Sequence, residues 1–170
     1  MTPKQARDRL FRQSRPHARR ILLITPDGSF TKEASLFWAA FKAGSFDLDP
    51  ATTQEDFAQA LALIQHKYSE LYLMEDENSS HPAIAFVGVK RDGVALQLEA
   101  SAFKWATPKN LLRAAVAFLN MQRHSTKCGV CLVKGEKKFL GRLTKYGVLF
   151  YVGPVSKTEH LFSVRGRFGE

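Results

Sequence analysis

The region from Leu96 to Gly153 constrains the fold of this chain more than any other part of the sequence. It reads as strand, helix, strand, short helix and strand, because the spacing of its apolar residues changes from segment to segment. Thr107 and Pro108 mark the start of the longer helix, with a hydroxyl at the N-cap and proline at the first helical position. Crossovers of this kind imply parallel neighbouring strands in an α/β sheet.

The remaining sequence predicts further strands and helices around this region. Thr31 and Thr53 each precede a helical pattern and are predicted N-caps. Additional strands are predicted at residues 21–25, 70–75, 83–89 and 160–164, and a turn at 91–93 joins two strands as a hairpin. The predicted order is β-α-α-β-β-β-α-β-α-β-β. The expected fold class is therefore α/β (α+β), with a mixed central sheet flanked by helices.

The composition fits one folded domain. The chain has 170 residues, 45% of them hydrophobic, and thirteen phenylalanines, which suffices for a sizeable core. No apolar run approaches the roughly 20 residues that cross a bilayer, and we find no secretory signal. We therefore expect a cytoplasmic protein without a membrane span, with the folded domain at residues 20–170 and a basic arm at residues 1–19.

The charge distribution points to a polyanionic partner. The formal net charge is +9, and the N-terminal segment has one acidic residue, Asp8. Its basic residues form a candidate nucleic-acid-binding set: Lys4, Arg7, Arg9, Arg12, Arg15, Arg19 and Arg20. The alternatives are a solubilising tail and an arm that contacts phosphates without reading sequence. No aromatic-rich RNA-binding signature accompanies the arginines.

The element order resembles that of the GCN5-related N-acetyltransferase (GNAT) superfamily over residues 20–165. In that superfamily the fourth strand and its helix hold acetyl-coenzyme A, and the next strand diverges to leave a V-shaped gap for the pantetheine. The resemblance implies a GNAT-like mixed sheet. If the protein is an active enzyme, it implies acetyl-coenzyme A as cofactor and Glu99, on the fourth strand, as general base.

The C-terminal half is also similar to a narrower group, the acetyltransferase-like internal virion protein A family of short-tailed bacteriophages. Three short motifs carry this resemblance: residues 101–105 before the helix, Lys138-Phe139-Leu140 leading to Gly147, and residues 161–164 with Arg165-Gly166-Arg167. It implies a virion-associated or assembly protein whose partners are other phage virion or ejection proteins, with non-specific contact to DNA. The expected location is the host cytoplasm during assembly, or the virion.

The predicted coenzyme loop departs from the superfamily pattern. The signature Arg/Gln-x-x-Gly-x-Gly/Ala lets consecutive backbone amides at a helix N-terminus hold a pyrophosphate. Here the same junction has no glycine, and Pro108 removes one donor. If the coenzyme binds, the candidate contacts are Lys104, Trp105, Ala106, Thr107 and Lys109, with the lysines as point charges.

The catalytic tyrosine of many superfamily members is also missing. It stands four residues before the glycine that corresponds to Gly147, a position that Leu143 occupies here. Tyr146 is adjacent to the glycine and is expected to point elsewhere. Glu99 alone remains as a candidate catalytic residue, and the alternative for it is a solvent-facing strand position.

These departures favour a protein that uses a degenerate acetyltransferase fold as a protein-binding scaffold, with no cofactor and no catalysis. The alternatives are an active N-acetyltransferase with an atypical pyrophosphate loop and a small nucleic-acid-binding module. No metal site is predicted, because Cys128-x-x-Cys131 leads into an apolar strand and has no second pair.

Overall fold

The computed structural model describes residues 1–92, 95–125 and 130–165. Within these ranges seven strands form one sheet, and five α-helices and a 3-10 helix accompany it. In chain order the elements are α1 (Pro3–Leu10), β1 (His17–Ile21), α2 (Lys32–Lys42), α3 (Gln54–Lys67), β2 (Glu70–Glu75), β3 (Ala83–Asp92), β4 (Ala95–Ala102), α4 (Pro108–Ser125), β5 (Val130–Gly135), α5 (Lys137–Leu143), the 3-10 helix (Thr144–Tyr146), β6 (Phe150–Pro154) and β7 (His160–Arg165).

The predicted helix starts are confirmed. Thr53 Oγ1 accepts a hydrogen bond from the amide of Asp56 at 3.2 Å, and Thr107 Oγ1 accepts one from Asn110 at 3.1 Å. Helix α2 also follows Thr31, although this hydroxyl donates to the carbonyl of Leu22 and makes no cap bond. Side-chain capping bonds therefore mark the starts of α3 and α4, whereas α2 begins after Thr31 without one.

The strand order is β1-β2-β3-β4-β5-β7-β6, and β4 with β5 is the parallel pair in this sheet. The expectation that β5 and β6 are parallel neighbours across α5 is wrong in one respect, because β7 lies between them. Strand β7 pairs antiparallel with both, from Val130↔Arg165 to Gly135↔His160 on one side and along β6 on the other. The chain turns back after β6, so the last strand enters the sheet rather than extending its edge.

Helices cover both faces of the sheet. Helices α2 and α3 pack an aromatic core on one face, where the ring centroids of Phe37 and Phe86 are 5.1 Å apart and those of Phe41 and Phe57 5.0 Å. Helix α4 packs on the opposite face through buried residues that include Phe118. Alternating strand residues therefore belong to two different cores.

The first strand lies four residues earlier than predicted. Strand β1 pairs residues 17–21 with β2, so residues 17–19 of the predicted arm lie in the sheet. The apolar residues that follow are held by a side chain instead of a neighbouring strand. Gln65 accepts from the amides of Leu23 and Ile24 at 2.5 and 3.0 Å and donates to the carbonyl of Ile24 at 2.7 Å.

A buried arginine holds the N-terminal segment on the sheet. Arg113 of α4 donates from Nε to Asp76 Oδ2 at 3.0 Å, from Nη2 to the carbonyl of Ser14 at 2.6 Å, and from Nη1 to the carbonyl of Leu10. Ser14 Oγ donates to the other oxygen of Asp76 at 2.7 Å.

Among the described residues, no helix has both the length and the apolar character needed to cross a membrane.

Candidate functional site: the gap between strands β4 and β5

The parallel strands β4 and β5 separate soon after they pair. Their register covers Ala95↔Leu132, Leu96↔Val133 and Gln97↔Lys134, after which β4 continues to Ala102 without β5 beside it. The opening is a cavity of about 550 Å³ whose walls come from both strands, α4 and α5. Its lining is mostly apolar and includes Leu98, Ala100, Leu111, Ala115, Leu119, Val133 and Leu140.

A second cleft continues from this gap between α4 and α5. It has a volume of about 600 Å³ and shares Leu111, Phe139 and Leu143 with the gap. Three cationic residues, Lys109, Arg142 and Lys145, lie along this α4–α5 cleft beside its apolar residues. The two cavities together can take a long ligand that has an apolar part and an anionic part.

Glu99 lines the gap and belongs to a small polar cluster. The hydroxyl of Tyr68 donates a short hydrogen bond to Glu99 Oε2, and Lys67 Nζ lies 3.2 Å from the same oxygen. The Tyr68 ring has room because Gly88 pairs with Glu99 on the adjacent strand; a Cβ at Gly88 would lie 2.6 Å from that ring. Glu99 was predicted from the sequence but Tyr68 was not, because the position of the Tyr68 ring depends on a glycine twenty residues away in the chain.

The cluster determines the protonation states of its members. The hydrogen bond from Tyr68 lowers the pKa of Glu99, and Lys67 adds to this against the opposing effect of partial burial. Burial raises the pKa of Tyr68, and its bond to the carboxylate raises it further. At neutral pH Glu99 is therefore ionised and Tyr68 keeps its proton.

The N-terminus of α4 is closed by its own side chains. Asn110 Oδ1 accepts hydrogen bonds from the Thr107 amide at 3.0 Å and from the Thr107 hydroxyl at 2.8 Å, while Thr107 Oγ1 accepts from the Asn110 amide. Pro108 has no amide hydrogen to offer. This end of α4 therefore lacks the run of open backbone amides that holds a pyrophosphate in the family pattern.

The rest of the predicted coenzyme loop is also bonded within the fold. The amide of Lys104 donates to Ser45 Oγ at 2.8 Å, and the amide of Ala106 donates to the carbonyl of Phe103 at 2.9 Å. Trp105 donates from Nε1 to the carbonyl of Ala83 at 2.6 Å and stacks on His81, with centroids 4.3 Å apart. Of the five candidate coenzyme residues, Lys109 is the one that lines the α4–α5 cleft.

The position of the missing tyrosine lies in the gap. Leu143 is buried and lines both the gap and the α4–α5 cleft. Tyr146 is 5% exposed, packs in the core beneath α4 and lines the α4–α5 cleft. Position 143 therefore carries an apolar side chain where many superfamily members have a hydroxyl, and Glu99 is a candidate reactive group among the residues that line the gap.

The basic residues of the N-terminal segment have different surroundings. Arg7 Nη1 donates to the carbonyl of Tyr146 at 2.5 Å, and Arg19 bonds Glu33 at 2.7 Å and Glu75 at 2.9 Å. Arg15 lies over the Phe11 ring at 5.2 Å. Four others are exposed, namely Lys4, Arg9, Arg12 and Arg20. Nucleic-acid binding by this set stays a prediction.

The two cysteines of the Cys-x-x-Cys motif differ in whether the structure describes them. Cys128 lies outside the described residues, and Cys131 belongs to β5. Among the residues that the structure describes, no group of three or more histidine, cysteine, aspartate or glutamate side chains is arranged to hold a metal ion.

Comparison with solved structures assigns the fold. No family model matches the sequence, and no curated protein matches it. The structure of a probable acetyltransferase of the GNAT family from Chromobacterium violaceum superposes with a TM-score of 0.56, at 15% identity, over 91% of this chain and 85% of the other.

Two further structures agree with this assignment. A spermidine N-acetyltransferase chimera from Vibrio cholerae and hSSAT gives a TM-score of 0.54 at 9% identity, covering 89% of this chain and 96% of that one. An acetyltransferase from Thermus thermophilus gives 0.52 at 12% identity, covering 89% and 97%. The chain therefore has the fold of the GCN5-related N-acetyltransferases, and the gap between β4 and β5 is its candidate functional site.

Proposed function

We propose that this protein is an N-acetyltransferase that uses acetyl-coenzyme A and holds the coenzyme's phosphates with side chains. The observation that carries the proposal is the open gap between β4 and β5, which contains an ionised carboxylate. A scaffold that no longer binds a ligand has no need to keep these strands apart. Filling the gap with apolar side chains would bury more surface and stabilise the domain.

The gap fits the pantetheine arm of the coenzyme by its shape, and the α4–α5 cleft fits the phosphates by its charge. The apolar gap suits a pantetheine arm, and Leu98, Ala115 and Leu119 would contact it. The pyrophosphate has no amide cradle at α4, because Thr107 and Asn110 bond each other. Lys109, Arg142 and Lys145 would attract the phosphates instead, as flexible point charges along the α4–α5 cleft.

Acetyl-coenzyme A supplies an acyl group that is activated as a thioester. Within the chain, Glu99 would accept the proton that the acceptor amine loses as it attacks. Tyr68 and Lys67 hold the Glu99 carboxylate in place by their bonds to Oε2. They also lower its pKa, so the carboxylate is fully ionised but is a weaker base than an isolated glutamate.

The test is calorimetric titration with acetyl-coenzyme A at moderate salt. The wild-type protein should bind saturably, and Ala100→Phe should abolish binding because this exposed residue lines the gap. Ala51→Phe, in the exposed loop between α2 and α3, is the matched control and should bind normally. Lys109→Ala with Arg142→Ala should weaken binding and reduce its dependence on salt. Absence of saturable binding by the wild type would overturn the proposal.

The second candidate is the non-enzymatic virion or assembly scaffold of a short-tailed bacteriophage. The closed N-terminus of α4 favours it, since Asn110 and Thr107 use the groups that would otherwise meet a pyrophosphate. Its test is quantitative mass spectrometry of purified virions and assembly intermediates. Detection at a fixed copy number together with no coenzyme binding would support the scaffold, and absence from both would exclude it.

A further inference from the structure

A third cleft opens on the other side of the gap and is rich in lysine. It has a volume of about 640 Å³ and shares Leu98, Lys134, Gly135 and Glu136 with the gap. Its charged residues come from the end of β5, the start of α5 and the β6–β7 turn. They are Lys134, Lys137, Lys138, Lys157, Glu136 and Glu159, and His160 at the start of β7 also lines the cleft. We call it the lysine cleft.

Strand alternation places the lysine cleft on the same sheet face as Glu99. Gln97, which lines the cleft, is in register with Lys134, and Glu99 follows two positions later on β4. Residues two apart on a strand share a face. Leu98 and Val133 have the opposite parity and pack with α4, so α4 and the α4–α5 cleft that it lines lie on the other face, while Leu98 borders both the gap and the lysine cleft. The gap therefore connects the α4–α5 cleft, which would hold the coenzyme phosphates, with the lysine cleft, which could hold a second ligand.

The lysine cleft carries a net positive charge beside the reactive carboxylate. Four lysines and two glutamates line the cleft. One of the glutamates is partly neutralised, because Glu159 Oε2 lies 3.9 Å from Lys134 Nζ. Lys137 and Lys138 lie in the first turn of α5, and this turn contains no acidic residue. Cations at the N-terminal end of a helix are unfavourable because they oppose the helix dipole. Positions that violate a local preference are expected where function needs them.

One of these lysines is held at the cleft by an aromatic contact. Lys137 Nζ lies 4.8 Å from the centre of the Tyr151 ring, and the Tyr151 hydroxyl is 3.0 Å from Nδ1 of His160. Lys138 and Lys157 are exposed and extend the positive surface on either side. A polycationic acceptor would be repelled by this surface, and an acceptor that carries carboxylates near its amine would be attracted.

We infer that the lysine cleft binds the acceptor, and that the acceptor is an amine flanked by carboxylates, such as the N-terminus of an acidic peptide. This inference rests on the proposed acetyltransferase function, but binding can be measured without acetyl transfer. The lysines bind the carboxylates while the amine reaches Glu99 through the gap.

The experiment measures affinity for three eight-residue peptides with the same free N-terminal alanine. Their next residues are Asp and Glu, the neutral Asn and Gln, or Lys. By calorimetry at low salt we expect the acidic peptide to bind about tenfold or more tightly than the neutral one. The double variant Lys138→Glu with Lys157→Glu should remove this preference. Lys4→Glu, on the exposed face of α1, changes the net charge away from the cleft and should retain it.

The same peptides, incubated with acetyl-coenzyme A and analysed by mass spectrometry, separate the two proposals. Binding of the acidic peptide without any acetylation would support anion binding by the lysine cleft and overturn the proposed acetyltransferase function. Acetylation of all three peptides at equal kcat/KM, or preference for the lysine peptide, would support the acetyltransferase function and overturn the inference that the lysine cleft selects acidic acceptors. Equal binding of the three peptides in the absence of acetylation would overturn both.

Discussion

Asp76 and Glu99 are two of the carboxylates whose pKa values are lowered in this protein, and their surroundings differ. Asp76 is 1% exposed, and Arg113, Ser14 and the amide of Asn78 bond both of its oxygens. Glu99 has 38% of its side chain exposed and meets Tyr68 and Lys67 at one oxygen, Oε2. The first cluster is closed and joins three segments of the chain, whereas the second is open to the gap.

The difference shows how burial separates a structural carboxylate from one that can act on a ligand. Burial would raise the pKa of Asp76, but the bonds from Ser14 and Arg113 outweigh it, so the carboxylate stays ionised inside the protein. Such a group is costly to leave unpaired. Glu99 can lose a partner to solvent at little cost, so its contribution should appear in reactivity and not in stability.

The largest expected effect is on stability at the closed cluster. Arg113→Met should lower the free energy of unfolding by about 3–5 kcal/mol, because it leaves Asp76 buried without its cation. Lys67→Met removes the cation of the open cluster and should cost about 1 kcal/mol or less, since exposed pairs contribute little. Urea unfolding at pH 7 measures both, and equal losses would contradict the comparison.

The next effect is on reaction rate at the open cluster. Glu99→Gln should reduce acetyl transfer by about 10²- to 10⁴-fold, the usual contribution of a general base. The affinity for acetyl-coenzyme A and the urea midpoint should both stay within error of wild type. Glu55→Gln, at the exposed start of α3, is the control. An undiminished rate would remove Glu99 from the mechanism.

A smaller effect is expected on acid stability. Because the folded pKa of Asp76 lies below its ordinary value of 3.8, its stabilisation is present above that pH and is lost as the pH falls through the folded pKa. Ser14→Ala removes one bond to the carboxylate, so the acid unfolding midpoint should rise by a few tenths of a pH unit. Ser35→Ala, exposed on α2, is the control. An unchanged midpoint relative to Ser35→Ala would show that Ser14 does not lower this pKa.

The smallest effect concerns the pH profile of acetyl transfer. Tyr68→Phe retains the ring over Gly88 but removes the hydroxyl, so the pKa of Glu99 should rise toward its ordinary value of 4.5. The acidic limb of kcat/KM should move to higher pH. Tyr72→Phe removes a hydroxyl that is bonded to Glu70 on β2, where burial raises the tyrosine pKa to about 12, and should leave the profile unchanged. A shift of equal size in both variants would argue against a specific role for Tyr68.

Much of the fold could be predicted because its signals are local. Thr53 and Thr107 indicated helix starts that the structure confirms, and Gly147, with φ of 69°, ends the 3-10 helix before β6. Strand β1 could not be located in this way. The apolar run 21–25 resembles a strand, but pairing with β2 selects residues 17–21, and Gln65 bonds the backbone that remains.

The candidate site was predictable only in part. Glu99 was identified through the family resemblance, and the absence of glycine before α4 drew attention to that helix end. The reciprocal bonds of Thr107 and Asn110 could be anticipated from capping preferences, since both residues favour helix termini. The hydrogen bond from Tyr68 to Glu99 could not be anticipated from the sequence. Tyr68 stands at the C-terminal end of α3, and its ring lies over Gly88 of β3 to reach Glu99 on β4.

The sequence by itself determined most of the elements, their order after β1 and the excess of positive charge, since capping and periodicity act over a few residues and charge follows from composition. Only the tertiary structure decided that β7 enters between β5 and β6, and that β4 and β5 separate after Gln97. Only the tertiary structure, likewise, brings lysines from β5, α5 and the β6–β7 turn to one cleft. The physical reason is that strand pairing and separation balance contacts between distant segments, and no local pattern encodes that balance.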